Sequence, residues 1–350
     1  MNMQPRPEPK EGEDCFTLCV SSILAYHKVP DFCSVWKQCG LVYIEQGTEE
    51  IARISPIYRA TEKDLQHIHH IYLQIYRTDD QSSVVSHIKQ LLLQGEPVIV
   101  WLDVFDMKYN SLYQLRHFAH CLLLVGYADG QFEFIDEFYH LKDTIDEQTL
   151  INALDLTQTE MIEEGTQYVY NVVDSTQAVM DVQEPDIYNV IQMNLEVMES
   201  QYSNVLTTDH GQPVVNAYTG LQALDRYIDH IRHCTADVTL LTDDYVEQMY
   251  QDLSRMSNNR YLFTYFLQQG ISYHPSIEKL IYKYQYVAQR WKLVSNMALK
   301  SQYIEGEKRQ HMLVRILHKL EDVRPLESEL IEISHMILAK NDQEIEMEYL

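Results

Sequence analysis

The chain has 350 residues, with 27 lysines and arginines against 52 aspartates and glutamates, so its formal net charge is −25. This acidity excludes nucleic acid and anionic membranes as expected partners, because phosphate binding needs a concentrated basic surface. Hydrophobic residues make up 45% of the chain, enough for a full core, and the length favours one or two domains. The six cysteines, the absence of an apolar signal segment and the short apolar runs indicate a soluble cytoplasmic protein with reduced thiols.

The first half of the chain mixes helical and strand patterns. Residues 1–14 are rich in proline and glutamate and are typical of an arm. Residues 15–27 carry apolar side chains at helical spacing behind Asp14, a good N-cap, and residues 84–94 predict an amphipathic helix that ends at Gly95. A short helix is expected around 149–154, and strands are expected at 96–103, 120–127, 131–136 and 168–173.

From about residue 188 onward the pattern is helical almost throughout. Residues 175–187 are polar and acidic without a clear period, which makes them a boundary. Helices are predicted over 220–234, 243–269, 277–302 and 311–338, with breaks at Gly270, Pro275, Gly306 and Pro325. We therefore expect an α+β fold, with an α+β domain over residues 1–180 and an all-α domain over residues 188–350.

Cys15 and His120 are the strongest candidates for chemistry. Cys15 opens a predicted helix, where unpaired amides and the helix dipole favour the nucleophilic thiolate. His120 begins the apolar strand HCLLLVGY, so its imidazole can face a cleft while the rest of the strand packs. A histidine near a thiol can act as its base, and such pairs usually add a group that orients the imidazole.

Asp136, at the end of the segment FEFID, is the candidate for that third group. With a two-residue hairpin loop at 129–130 it would lie opposite Leu123 and point away from His120. With a three-residue loop at 128–130 it would lie opposite Leu122, on the face of His120 and within side-chain reach. The sequence permits both registers.

Several short segments stand in a recognisable order. They are Asp14-Cys15-Phe16, then Leu102-Asp103-Val104-Phe105, then Tyr109-Asn110 and Tyr113, then His117-Phe118-Ala119-His120 running into LLLVGY and FIDEF. Over about residues 10–175 the chain resembles the N-terminal domain of butirosin biosynthesis protein H. Weaker similarity continues at Gly220-Leu221 and Gln289-Arg290-Trp291.

The resemblance implies a papain-like cysteine fold recruited for acyl transfer in antibiotic and nonribosomal peptide pathways. Cys15 would accept an acyl group from a carrier-protein thioester, His120 would take the thiol proton and assist an attacking amine, and Asp136 would orient His120. The sequence departs from the papain-like pattern in one respect. Residues 9–13 contain no glutamine to donate to the oxyanion, and Gln4 is the only glutamine upstream.

Other residues are weaker candidates. Asp103 at a strand end, Tyr113 and His117 could contact substrate, although Asp103 could equally be a cap. Cys19, one helical turn after Cys15, is expected in the core. A zinc site from the four cysteines at 15, 19, 33 and 39 is not expected, because the 33–39 gap exceeds the spacing of about two to four residues in such sites. No metal or cofactor is expected.

A basic cluster follows residue 299 in this acidic chain. Its members are Lys300, Lys308, Arg309, Arg315, His318 and Lys319. A solvated helix face is one interpretation. The other is a docking surface for an acidic carrier protein, whose phosphopantetheine arm would reach Cys15.

The favoured hypothesis is a cysteine acyltransferase that passes an acyl or peptidyl group from a carrier protein to an amine-bearing acceptor. A papain-like peptidase, an amidase or an editing thioesterase would use the same residues with water as the acceptor. A non-catalytic binding module is the third hypothesis, favoured by the missing glutamine. The oligomeric state stays open, with a homodimer as one alternative.

Overall fold

The chain forms an α+β fold of two compact units. The computed structural model describes residues 3–6, 8–46, 51–159, 167–201, 217–236 and 240–348. The first unit comprises Met1–Phe32 with Leu65–Met180, and the second comprises Cys33–Asp64 with Asp181–Leu350. No helix of the described ranges is long and apolar enough to cross a membrane.

The secondary structure alternates in the first half and becomes helical in the second. The strands are β1 (Val42–Gln46), β2 (Ile51–Ser55), β3 (Tyr72–Thr78), β4 (Val98–Asp103), β5 (Ala119–Ala128), β6 (Gln131–Asp136), β7 (Leu141–Asp146), β8 (Tyr168–Asp174) and β9 (Ala217–Thr219). The helices are α1 (Cys15–Tyr26), α2 (Thr61–Gln66), α3 (Gln81–Gln94), α4 (Glu147–Ala153), α5 (Glu184–Met198), α6 (Gly220–Ala236), α7 (Asp243–Gln268), α8 (Ser276–Ser301) and α9 (Gly306–Glu348).

The first unit is built on an antiparallel sheet in the order β3-β8-β4-β5-β6-β7. Alternate residues of β4, β5 and β6, among them Leu122 and Phe134, form a buried core with α3 and α4. Helix α1 packs on the other face, where Phe16 stacks on Trp101 with ring centroids 5.9 Å apart. Trp101 lies opposite Cys121 in the β4–β5 register, so the start of α1 is close to the start of β5.

The β5–β6 hairpin decides where Asp136 lies. Its loop has two residues, Asp129 and Gly130, whose φ angles of 51° and 80° are typical of a type I′ turn. A β-bulge between Leu124 and Gly126 then inserts one extra residue into β5, so that Leu123 pairs with Ile135. Continued by one residue, this register sets Asp136 opposite Leu122. The hairpin therefore has the two-residue loop, which by itself would point Asp136 away from His120. The extra residue of the bulge shifts the register by one, so that the Asp136 carboxylate lies on the same face of the sheet as His120.

The second unit joins a small sheet to long helices. Strand β1 pairs with β2 and β9 in the antiparallel order β2-β1-β9. Helices α7, α8 and α9 pack side by side and bury an ion pair, in which Arg260 Nε donates to Glu327 Oε1 at 2.7 Å. The indole of Trp291 donates to the same carboxylate oxygen at 2.5 Å.

Most predicted elements are confirmed, with two kinds of exception. Strands β2, β3, β7 and β9 were not expected. In β3 and β7 the alternation is broken by polar residues on both faces. The expected break at Pro325 is wrong, since Pro325 lies inside α9. A proline removes one backbone hydrogen bond from a helix. Buried residues of α9 on both sides of Pro325, among them Val323 and Glu327, pack in the core and stabilise the helix in spite of this loss.

Candidate active site

Cys15 is the first residue of α1, as the sequence predicts. Asp14 caps the helix: its Oδ1 accepts from Thr17 N at 2.8 Å, and Thr17 Oγ1 accepts from Asp14 N at 2.7 Å. This reciprocal cap fixes the start of the helix and leaves the first amides, including that of Cys15, without a partner inside the helix. Cys15 is partly exposed as a residue, in contrast to the other five cysteines, which are buried.

His120 and Asp136 form a buried pair next to Cys15. His120 Nε2 lies 2.8 Å from Asp136 Oδ2, and the two side chains are 7% and 0% exposed. An ionised carboxylate only accepts, so Nε2 carries the hydrogen of this bond. Nδ1 is then the ring nitrogen left for the thiol, with which His120 also interacts. The structure therefore brings Cys15, His120 and Asp136 together.

Asp136 is held by more than the imidazole. Its Oδ1 accepts from the backbone amides of Phe138 and Tyr139 at 3.0 and 3.2 Å. Its Oδ2 accepts the hydroxyl of Tyr109 at 2.6 Å in addition to His120. Each of these donors stabilises the charged form of a carboxylate that has no access to water.

The electrostatics of the three groups favour a thiolate–imidazolium pair. A hydrogen bond with the Cys121 thiol and the adjacent imidazole of His120 hold the pKa of Cys15 well below its usual value, although burial opposes them. Burial would lower the pKa of His120, but the hydrogen bonds with Asp136 and Cys15 raise it well above the usual value. Burial alone would raise the pKa of Asp136, but the hydrogen bonds from His120 and Tyr109 lower it. A low thiol pKa beside a high imidazole pKa is the condition for a nucleophilic cysteine.

Two exposed aromatic rings border the imidazole. Phe138 and Tyr139 each meet His120 edge to face at 6.0 Å, and they are 62% and 40% exposed. They belong to the turn after β6 whose amides bind Asp136. An apolar or aromatic part of a substrate could rest on these rings while its reacting carbon faces Cys15.

The N-terminal arm contacts the residues next to Asp136 and those just before Cys15. Arg6 N donates to Glu137 Oε2 at 2.9 Å, immediately after Asp136. The Arg6 guanidinium binds both oxygens of Glu13 at 2.8 and 2.5 Å, two residues before Cys15. Of the predicted arm, residues 1, 2 and 7 lie outside the described residues.

The three predicted substrate contacts lie in the loop between β4 and β5 or beside it. Asp103 is buried and accepts from the amides of Phe105 and Phe118 at 3.0 and 3.1 Å, so it caps the loop. Its other oxygen lies 2.5 Å from Nδ1 of His117, whose ring stacks on Phe105 at 4.3 Å. Tyr113 is partly exposed and its amide donates to Asn110 O at 3.1 Å. His117 and Tyr113 remain open to solvent, whereas the carboxylate of Asp103 is engaged by the protein.

Tyr109, Phe138 and Tyr139 are members of the site to which the sequence assigned no role, although Tyr109 stands in the segment Tyr109-Asn110 and Phe138 in the segment FIDEF. The sequence did carry a signal for the last two, because they directly follow the predicted third residue, Asp136. No spacing rule links Tyr109 to Asp136, since the loop that carries it has no regular period.

The remaining five cysteines are buried. Cys19 and Cys121 are buried beside Cys15, and burial raises the pKa of both. Among the residues that the structure describes, no three side chains of His, Cys, Asp or Glu are grouped closely enough to hold a metal ion.

In the second unit the predicted docking residues differ in their surroundings. Arg309 is nearly buried; it donates to the carbonyls of Ser301, Ile304 and Leu241 and pairs with Asp243 at 2.7 Å. Lys319 is exposed and pairs with Asp322 at 2.6 Å. Lys300, Lys308 and Arg315 are exposed. The guanidinium of Arg309 is thus committed to its own unit, which leaves four of the five residues on the surface.

The family model of butirosin biosynthesis protein H, N-terminal, matches residues 37–137. The resemblance is therefore confirmed over this range, which is less than a third of the chain. The matched range contains His120 and Asp136, while Cys15 lies before it. No curated protein matches the chain.

Proposed function

We propose that the chain is a cysteine acyltransferase of antibiotic biosynthesis with a papain-like first domain. It transfers an acyl or peptidyl group from a carrier-protein thioester to an amine. The observation that carries the proposal is the partly exposed Cys15 at the start of α1, beside the buried His120–Asp136 pair. The family match supports a biosynthetic and enzymatic role.

In the first half of the reaction the Cys15 thiolate attacks the thioester carbonyl. A tetrahedral intermediate forms, and the amide of Cys15 at the helix start is a donor for its oxyanion. The bond from the carbonyl carbon to the carrier sulfur then breaks. The imidazolium of His120 gives its proton to the leaving thiolate, which leaves an acyl group on Cys15 and a neutral imidazole.

In the second half the acceptor amine attacks the acyl-cysteine. His120 takes a proton from the attacking nitrogen, while the bond between the carbonyl carbon and Cys15 Sγ breaks. The products are an amide and the restored thiolate–imidazolium pair. Asp136 keeps its charge throughout and stabilises the imidazolium in each half.

The test is an acyl adduct on Cys15. The protein is incubated with an acyl-pantetheine thioester, first free and then on a carrier protein, and the intact mass is measured. We expect the mass to increase by one acyl group, located on the peptide of Cys15, and Cys15→Ala to show no increase. Cys234→Ala is the matched control, because Cys234 is a buried cysteine of the second unit and the adduct should persist.

Hydrolysis is the second candidate, since water in place of the amine would attack the same acyl-cysteine. Product analysis with and without an amine separates the two activities: an amide indicates transfer, and a free acid alone indicates a thioesterase or amidase. If no donor modifies Cys15 and the thiol shows an ordinary pKa, the acyltransferase proposal is wrong and the binding-module hypothesis is favoured.

A carrier protein is the proposed donor, with Lys300, Lys308, Arg315 and Lys319 as its docking residues. These side chains are exposed and positive in a chain of net charge −25, and carrier proteins are usually acidic. Reversing the charge of Lys308 and Arg315 with glutamate should raise KM for the carrier-bound donor without changing KM for the free pantetheine thioester. Equal effects on both donors would exclude this docking role.

A further inference from the structure

Tyr109 places a second hydrogen-bond donor on the carboxylate that binds His120. Its hydroxyl lies 2.6 Å from Asp136 Oδ2, the same oxygen that lies 2.8 Å from His120 Nε2. The other oxygen, Oδ1, accepts two backbone amides. Asp136 thus has four protein donors, and Tyr109 is the only side-chain donor besides the imidazole among the described residues.

The ring of Tyr109 is held in place from two sides. It stacks on Phe134 with centroids 5.6 Å apart and meets Tyr139 edge to face, also at 5.6 Å. These contacts fix the direction of the hydroxyl, and the loop after β4 supplies the backbone. Burial and the adjacent carboxylate raise the pKa of Tyr109, so the phenol stays protonated and acts as a donor.

We propose that Tyr109 is a positioning residue of the site: its hydroxyl keeps Asp136 ionised and turned toward His120. The role rests on the proposed cysteine chemistry, because Tyr109 acts on the thiol only through Asp136 and the imidazole. A charged Asp136 stabilises the imidazolium, and the imidazolium stabilises the thiolate. Tyr109, Asp136, His120 and Cys15 are therefore four groups that interact in series, and the Tyr109 hydroxyl is the one most distant from the thiol in that series.

The charge on Asp136 depends on the groups that face it from each neighbouring element. Strand β7 places Leu141 opposite it. The titratable or charged groups around it are His120 on β5, Cys19 on α1, Tyr109 in the loop after β4, and Glu137 and Tyr139 in the turn after β6. Apart from His120, none of them supplies a positive charge, so losing the phenol hydroxyl leaves a carboxylate that protonates more readily.

The experiment measures how fast iodoacetamide alkylates Cys15 between pH 4.5 and 8, which needs no acyl donor. Tyr109→Phe keeps the ring and its packing and removes only the hydroxyl. We expect the acidic limb of the profile to move up by about one pH unit, because one hydrogen bond to a charged group is lost. Tyr127→Phe is the matched control: Tyr127 lies on β5 and its hydroxyl bonds Glu147 at 3.3 Å, so the profile should not move.

A second variant shifts the profile in the opposite direction. Site-specific 3-fluorotyrosine at position 109 makes the phenol a stronger donor with almost no change in shape, so the acidic limb should move to lower pH. A role in packing alone would leave the profile of both variants at the wild-type position, and that result would overturn the proposal. A wild-type Cys15 that reacts as an ordinary thiol would instead overturn the proposed function together with the role of Tyr109.

Discussion

Each unit of the molecule buries a carboxylate that accepts from a cation and from an aromatic side chain. In the first unit Asp136 accepts from His120 and from the hydroxyl of Tyr109. In the second unit Glu327 accepts from Arg260 and from the indole of Trp291. Both carboxylates are fully buried, so the donors must replace the hydration that each has lost.

The two buried carboxylates differ in the cation that binds them and in that cation's surroundings. Arginine stays protonated, and Arg260 is wholly buried under helices, so its pair with Glu327 cannot exchange a proton with a ligand. Histidine can lose its proton, and His120 adjoins Cys15, a partly exposed residue. The same arrangement of carboxylate and donors therefore lies among packed helices in one unit and next to the proposed nucleophile in the other.

The largest effect is expected from breaking the buried pair of the second unit. Arg260→Met leaves Glu327 buried without its cation, and the free energy of unfolding should fall by about 3–5 kcal/mol. Arg260→Met combined with Glu327→Leu removes the uncompensated charge and should recover most of that loss. Urea unfolding followed by circular dichroism measures both variants.

Arg232→Met is the control for this prediction. Arg232 is exposed on α6 and pairs with Glu321 at 3.0 Å, and an exposed pair contributes at most about 1 kcal/mol. If the single variant Arg260→Met were as stable as Arg232→Met, the buried pair would not contribute to the stability of the helix packing. The alkylation profile of Cys15 should be unchanged in all three variants if the two groups serve different purposes.

The second prediction compares Cys15 with Cys39 as thiols. Burial raises the pKa of Cys39 to about 12, whereas the pKa of Cys15 is held well below its usual value. In the folded protein Cys15 should react with iodoacetamide almost as fast at pH 6 as at pH 8, and Cys39 should not react. An ordinary thiol would lose about tenfold in rate for each pH unit below its pKa.

His120→Ala should make Cys15 react like an ordinary thiol. Without the imidazolium the pKa of Cys15 rises toward the ordinary value, so the rate at pH 6 should fall on the order of 10²-fold. His311→Ala is the control, because His311 is exposed on α9. Peptide mass spectrometry after alkylation gives the rate at each cysteine, and an unchanged rate in His120→Ala would contradict a thiolate–imidazolium pair.

Local patterns in the sequence predicted most of the elements, but long-range pairing escaped them. Asp14, Gly95 and the Asp129-Gly130 turn act where a few neighbouring residues determine the backbone, and each did what its residue type predicts. The segment 33–64 belongs to the second unit because β1 pairs with β9, some 170 residues further along the chain. Composition and periodicity contain no information on such a pairing.

The residues of the candidate site could be proposed from the sequence, whereas their geometry was less predictable. Cys15 and His120 were identified from their positions at the start of a helix and a strand. The register of Asp136 depended on the bulge in β5, and Gly126 was its available signal, because an isolated glycine within a strand often marks a bulge. Tyr109 depends on the path of an irregular loop, which no periodicity describes.

The smallest effect is expected from the arm of the first unit, which has no counterpart around Glu327. Arg6 neutralises Glu13 two residues before Cys15. In Arg6→Ala the guanidinium no longer neutralises Glu13, whose negative charge disfavours the nearby thiolate, so the acidic limb of Cys15 alkylation should move up by about half a pH unit. Arg77→Ala, on the exposed side of β3, is the control and should leave the limb in place. If both variants behave alike, Arg6 only anchors the arm, and the charge that activates Cys15 comes from His120 and Asp136 alone.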